Sequence, residues 1–88
     1  MTEEEFRKLC EEKGYGDVKV KDFEPNMYDP PHTHERSIMG LVVKGEMTLE
    51  WEEGSTTYGV GDMCAFEAGT LHAEKTTESG ATIVLGFK

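Results

Sequence analysis

Most of this 88-residue chain is a succession of short apolar stretches separated by turns that contain glycine. The candidate strands are Ile38 to Lys44, Met47 to Glu52, Thr56 to Val60, Met63 to Phe66 and Ala81 to Phe87. Between them lie sequences such as Lys44-Gly45-Glu46 and Ser79-Gly80, where a backbone reverses at low cost. Short strands at this spacing indicate a sandwich or a barrel. The sequence therefore predicts one all-β domain over residues 1–88.

The first 14 residues depart from this pattern and predict a short amphipathic helix. Thr2 and Glu5 have the spacing of a capping box. Phe6 and Cys10 lie on one helical face, and Gly14 provides a stop at the carboxyl end. We expect the helix within residues 1–14 and the β-barrel over residues 18–88.

From residue 18 the sequence period changes to two. Val18 and Val20 alternate with Lys19 and Lys21, as in a strand with one buried, apolar face. Such a strand lies at the start of the predicted barrel. In so small a barrel, edge strands and apolar surface favour a homodimer, with the helix or the strand from Val18 to Phe23 as the contact.

The charge of the chain restricts its partners. Eighteen acidic and nine basic residues give a net charge of -9, which repels phosphate backbones and anionic lipid headgroups. No apolar run approaches the roughly 20 residues that span a bilayer, and no basic and apolar leader opens the sequence. We expect a cytoplasmic protein with a small-molecule ligand and without nucleic acid or membrane partners.

Two of the three histidines stand at alternate positions of the segment Pro30-Pro31-His32-Thr33-His34. Residues two apart in an extended strand point to the same side, so the two imidazoles are close together. The prolines favour the extended form, which reduces the freedom lost when the imidazoles are positioned. This spacing also occurs on exposed strands that bind no metal, so the third histidine is needed to favour a metal site.

The third histidine, His72, lies shortly after two glycines. Its spacing, together with that of His32 and His34, resembles the two motifs of the cupin superfamily, G-x5-H-x-H-x3,4-E-x6-G and G-x5-P-x-G-x2-H-x3-N. Six residues of the chain fall on motif positions: His32, His34, Gly45, Gly61, Gly69 and His72. The resemblance implies a double-stranded β-helix, the jelly-roll barrel of the cupins, with one divalent metal ion bound by the three histidines.

The chain also departs from the cupin motifs. Ile38, or Met39 with the longer spacing, stands where the glutamate ligand belongs, and Glu67 and Thr76 replace the proline and the asparagine. Glu35 adjoins His34, and strand alternation turns it to the opposite side. We therefore expect three protein nitrogens, with water or a displaced Glu35 completing the coordination.

Several further residues are candidates for a role near the metal. Tyr28, Arg36, Ile38 and Met39 are candidate substrate contacts, with barrel core or ordinary surface structure as the alternative. Glu74, like Glu67, flanks His72 and is either a partner or general base of the site or a solvated charge.

The histidine set leaves the metal and the reaction open. Three neutral imidazoles suit zinc, iron, nickel or copper, and manganese is a further candidate. An enzyme with this site would be a metal-dependent dioxygenase, isomerase or lyase. The alternatives are a non-catalytic ligand-binding or sensing barrel, in which the metal is structural or absent, and a barrel whose histidines are vestigial.

Overall fold

The computed structural model describes residues 1–88, which form one helix and six strands. The elements are α1 (Glu3–Lys13), β1 (Gly16–Phe23), β2 (Tyr28–His32), β3 (Ile38–Trp51), β4 (Gly54–Gly59), β5 (Met63–Phe66) and β6 (His72–Phe87). The predicted all-β architecture with a short amino-terminal helix is confirmed. None of the structure's helices has the length and apolar character needed to cross a membrane.

Local hydrogen bonds define both ends of α1. Thr2 Oγ1 accepts from the Glu5 N–H at 3.2 Å, and Glu5 Oε1 accepts from the Thr2 N–H at 2.8 Å. This capping box satisfies two amide donors that the helix itself leaves free. At the other end Gly14 has a φ of 79°, in the left-handed region that glycine enters without strain.

All strand pairs are antiparallel and are organised around β3 and β6. The sheet order is β1-β6-β3-β4, while β2 pairs with β6 and β5 pairs with β3. β3 has 14 residues and β6 has 16, so each contacts several partners along its length. These two strands hold the cavity and the site described below.

Two predicted turns are instead bends within the long strands. Gly45 and Gly80 have φ of 67° and 63°, and the pairing of β3 with β6 shifts register around Gly45. A Cβ on Gly45 would overlap the Gly80 carbonyl oxygen, so the two backbones approach too closely for a side chain. The glycines therefore bend paired strands at this point rather than reversing the chain.

The two faces of β3 and β6 carry different cores. On the outer face, α1 contributes to a buried cluster made of Phe6, Cys10, Met39, Leu41 and Val84. On the inner face lies a second cluster made of Val42, Met47, Leu49, Ala81 and Ile83. The run from Ile38 to Val42 is continuously apolar because both of its faces are buried.

β1 shows the predicted alternation, with Val18 on the outer face. Lys19 pairs with Leu85 and Lys21 with Ile83, and both lysines line the inner cavity. Val18 packs against the cluster under the helix, whereas Val20 is 56% exposed. Val18 therefore faces away from the cavity, whereas Phe23, on the same side of the strand as the lysines, lines it, and Val20 lies at its border.

Self-association through α1 or β1 stays a prediction. β1 pairs with β6 alone, so its other edge presents unpaired backbone groups. Size-exclusion chromatography with light scattering measures the mass directly, and a homodimer would have twice the 9.9 kDa of the chain.

Candidate metal centre

The site consists of two pairs of side chains where the antiparallel strands β2 and β6 meet, with His34 just beyond the end of β2. His32 ends β2 and lies opposite His72, the first residue of β6. His34 is two residues beyond His32, and Glu74 is two residues beyond His72. The four ligand atoms lie within 4.8 Å of one another. One strand pairing thus brings together residues that are about 40 positions apart in the sequence.

The Glu74 carboxylate is close to the Nε2 atoms of all three imidazoles. Its Oε2 lies 3.0 Å from His72, 3.5 Å from His32 and 3.9 Å from His34. Tetrahedral zinc, with bonds of about 2.0–2.1 Å to nitrogen or oxygen, separates neighbouring donor atoms by about 3.3 Å. The observed spacing is therefore compatible with donors around one ion.

Backbone carbonyls determine which nitrogen carries the proton in the neutral form of two imidazoles. The Nδ1 of His32 contacts the Pro30 carbonyl oxygen at 2.7 Å, and the Nδ1 of His72 contacts the Thr70 carbonyl oxygen at 3.0 Å. Because a carbonyl oxygen only accepts, each Nδ1 carries the proton and donates it. In the neutral imidazole the Nε2 lone pair then faces the site, as metal-binding histidines require.

His34 gives the strongest indication of a cation site. Its Nε2 is buried and has no hydrogen-bond partner, which is costly for a polar atom. Burial, with smaller contributions from His32 and His72, lowers the pKa of His34 and favours the neutral form that binds metal. His32, His34, His72 and Glu74 are positioned to hold a metal ion.

Aromatic side chains pack around the buried histidine. His72 is 1% exposed, and its ring centroid lies 4.3 Å from that of Phe66 and 5.7 Å from that of Trp51. Phe66 also approaches the His34 ring, with the centroids 6.1 Å apart. These contacts restrict the orientation of the imidazoles before any ligand arrives.

Glu74 adds a carboxylate to the three nitrogens that the sequence predicts as donors. The carboxylate comes from β6, whereas the family position on β3 holds Ile38. Glu35 is exposed and does not belong to the cluster. The alternation that pairs His32 with His34 also pairs His72 with Glu74, and this was the available sequence signal.

A cavity of about 410 Å³ adjoins the site, and His32, His34 and Glu74 contribute to its lining. Of the predicted substrate contacts, Ile38 lines this cavity.

The other three candidate contacts lie elsewhere. Tyr28 is 56% exposed, and Met39 is buried under the helix on the opposite face of β3. Arg36 donates to Asp17 at 2.9 Å and to the Phe87 carbonyl oxygen at 3.3 Å. The Arg36 contacts connect the segment before β3 to β1 and β6.

The family of the chain follows from its sequence and its fold together. A family model described as the Cupin domain matches residues 19–86, most of the chain. The chain belongs to the cupin family. The predicted jelly-roll barrel is thereby confirmed, and the matched segment includes all four side chains of the metal centre.

Solved cupin-like structures support the same fold. A protein of unknown function from Rhizobium leguminosarum has a TM-score of 0.75 at 16% identity, over 80% of this chain and 66% of that one. KdgF from a Halomonas species has a TM-score of 0.67 at 25% identity, again over 80% and 66%. A cupin-2 domain protein from Shewanella frigidimarina has a TM-score of 0.68 at 17% identity, over 81% and 69%.

This cupin spans 66% of the length of the first two of these structures. No curated protein matches it.

Proposed function

We propose that this cupin binds one divalent metal ion through His32, His34, His72 and Glu74, and that it holds a small molecule beside that ion. The observation that carries the proposal is the buried, unpartnered Nε2 of His34 within a cluster of three further donors. Imidazole lone pairs and a carboxylate oxygen that converge without a proton between them repel one another. A cation relieves that repulsion.

The donor set restricts the metal and its chemistry. Imidazole suits zinc, iron, nickel and copper, and a carboxylate donor is also suitable for manganese. Three neutral imidazoles and one carboxylate leave a divalent ion with a net charge of about +1. When bound, such an ion supplies Lewis-acid polarisation of an oxygen atom on the ligand.

The cavity supports a small organic ligand. Its volume of about 410 Å³ lies in the range of sites for small molecules, roughly 300–1,000 Å³. Ten of the 16 lining residues are hydrophobic, so the walls suit a carbon skeleton while the metal centre provides polar contacts. The same arrangement serves a dioxygenase, an isomerase, a lyase or a non-catalytic sensor.

Elemental analysis of protein purified without a histidine tag tests the metal site. We expect one zinc, iron, nickel or manganese ion per chain, and loss of that ion in Glu74→Gln and His34→Gln. Glu35→Gln is the matched control, because Glu35 is an exposed carboxylate outside the cluster. Metal-free protein whose melting temperature does not change with any of these ions would overturn the proposal.

Oxygen-consumption, isomerase and lyase screens of the loaded protein separate catalysis from binding. Turnover that disappears in His32→Ala would indicate an enzyme. A ligand that raises the melting temperature without product formation would indicate a sensor.

A further inference from the structure

We propose that the cavity beside the metal centre takes a small organic acid, and that Lys19 and Lys21 bind its carboxylate. This inference rests on the proposed metal site and adds the chemical class of its ligand. The ligand would have two oxygen-bearing groups. A carboxylate would bind the lysines, and the other group would bind the metal. Dicarboxylates and hydroxy or oxo acids have this composition.

The two lysines lie on the inner face of β1. Lys19 is opposite Leu85 and Lys21 is opposite Ile83, and all four residues line the cavity. The same cavity is lined by donors of the metal centre. No arginine and no other lysine lines it, so these two ammonium groups are its only permanent cations.

Aromatic rings hold the lysines without neutralising them. Lys21 Nζ lies 4.8 Å from the centroid of the Phe23 ring, and Lys19 Nζ lies 5.9 Å from that of Phe87. Both rings line the cavity. A ring face attracts an ammonium group but leaves its formal charge and its hydrogen-bond donors available.

Neither lysine has a carboxylate within salt-bridge distance. Arg36 and Lys75, in contrast, are paired with Asp17 at 2.9 Å and with Glu50 at 3.1 Å. In a chain with 18 acidic residues, two adjacent cations without an acidic partner are free to bind an anion from solution.

The cavity reverses the charge of the rest of the protein once a metal is bound. Two lysines contribute +2 and the lining residues Asp29 and Glu74 contribute -2, so the formal charge of the lining is zero. A divalent ion brings it to +2, whereas the whole chain carries -9. A small anion is therefore repelled by most of the surface and attracted to this cavity.

The apolar wall favours an organic acid over inorganic phosphate. Phe23, Ile83 and Leu85 lie beside the lysines in the lining. Carbon atoms that join the ligand's two polar ends would be buried against them, which contributes favourably to binding.

Calorimetric titration of zinc-loaded protein tests the inference with matched ligands. The probes are malonate, succinate, glutarate and adipate, each compared with its monoamide, which removes one carboxylate charge. For the best dicarboxylate we expect binding about tenfold tighter than that of the monoamide, or about 1.4 kcal/mol. The preference should weaken as salt rises.

Three double variants test whether the two lysines cause the preference for the dicarboxylate over its monoamide. Lys19→Gln with Lys21→Gln should abolish it, and Lys19→Arg with Lys21→Arg should retain it. Lys8→Gln with Lys44→Gln removes the same charge from exposed positions outside the cavity and should change it by less than about twofold. Circular dichroism checks that each variant folds.

The zinc stoichiometry of every variant is measured in parallel, so the two proposals fail separately. Wild-type protein that binds no zinc overturns the proposed function. Zinc-loaded protein that binds no dicarboxylate, or whose preference persists in the glutamine variant, overturns the lysine inference alone.

Discussion

The two faces of β3 and β6 have opposite characters, although the same strands form both. The outer face is covered by α1 and closed by a cluster that includes Phe6, Cys10 and Met39. The inner face holds a second apolar cluster but opens into the cavity with the metal centre. One face buries apolar area and stabilises the fold. The other combines burial with a polar atom, the Nε2 of His34, that has no hydrogen-bond partner within the protein.

The comparison predicts that the outer face affects stability far more than metal binding. Phe6→Ala removes a completely buried ring and should lower the free energy of unfolding by about 3–5 kcal/mol. Chemical denaturation measures this change. The zinc dissociation constant of the folded fraction should equal that of wild type.

For a chain of 88 residues that loss approaches the whole stability, so a milder variant is needed as well. Phe6→Leu should cost less than about 1.5 kcal/mol and fold fully. If Phe6→Leu weakens zinc binding in proportion to its loss of stability, the two faces are not independent.

The inner face, in contrast, should contribute to stability through metal binding. Zinc at about 100 times its dissociation constant should raise the free energy of unfolding by about 2.7 kcal/mol, or roughly 10–20 °C in the melting temperature. Glu74→Gln should reduce the shift strongly, because it removes the one anionic donor. Differential scanning calorimetry with and without zinc measures both proteins. An equal shift in the two would show that zinc binds elsewhere.

Each face contains one cysteine, and burial raises the pKa of both thiols. Burial, aided by the Glu74 charge, raises the pKa of Cys64 to about 11 from an ordinary value of 9.0. Burial also raises the pKa of Cys10. A thiol whose pKa is raised by folding stabilises the protein below its unfolded pKa, and this stabilisation is lost as pH rises.

For Cys64 the loss should occur between pH 9 and pH 11 and amount to about 2 kcal/mol. Cys64→Ala should flatten the decline in unfolding free energy over that window, with denaturation at pH 8, 9, 10 and 11 as the measurement. A decline as steep as in wild type would mean that other groups cause it.

Local and non-local features of the fold differ in how far the sequence predicts them. The helix is predictable because its capping box and its terminal glycine act within a few residues. The proximity of His32 and His34 is predictable for the same reason. The position of Glu74 beside the histidines is not predictable in this way, because it depends on the pairing of β2 with β6, which brings distant residues together.

Which side of a strand faces the cavity also depends on residues that are distant in the sequence. The alternation in β1 separates Val18 from Lys19 and Lys21, but it does not determine which side of the strand faces the cavity. The helix over the outer face provides an apolar environment for Val18 there. Hydrophobic alternation therefore predicts the strand. It does not predict that Lys19 and Lys21 face the cavity, which is the observation from which the ligand class is inferred.

The smallest expected effect concerns the aromatic wall between the inner core and the metal centre. Phe66 approaches both His72 and His34, with centroids 4.3 Å and 6.1 Å away, so it orients two donors at once. Phe66→Leu keeps the site apolar but removes the ring contacts, worth about 1 kcal/mol. Zinc affinity, measured by competition with a chelator, should fall about fivefold.

Phe23→Leu is the matched control, because Phe23 lines the same cavity and stacks on none of the histidines. It should leave zinc affinity unchanged and weaken dicarboxylate binding slightly, since Lys21 rests on its ring. Equal losses of zinc affinity in both variants would mean that general packing of the cavity, rather than contact with the imidazoles, supports the metal centre. Packing of the whole inner face would then support metal binding, as packing of the outer face supports the fold. Only the four donors themselves would then distinguish a binding face from a stabilising face.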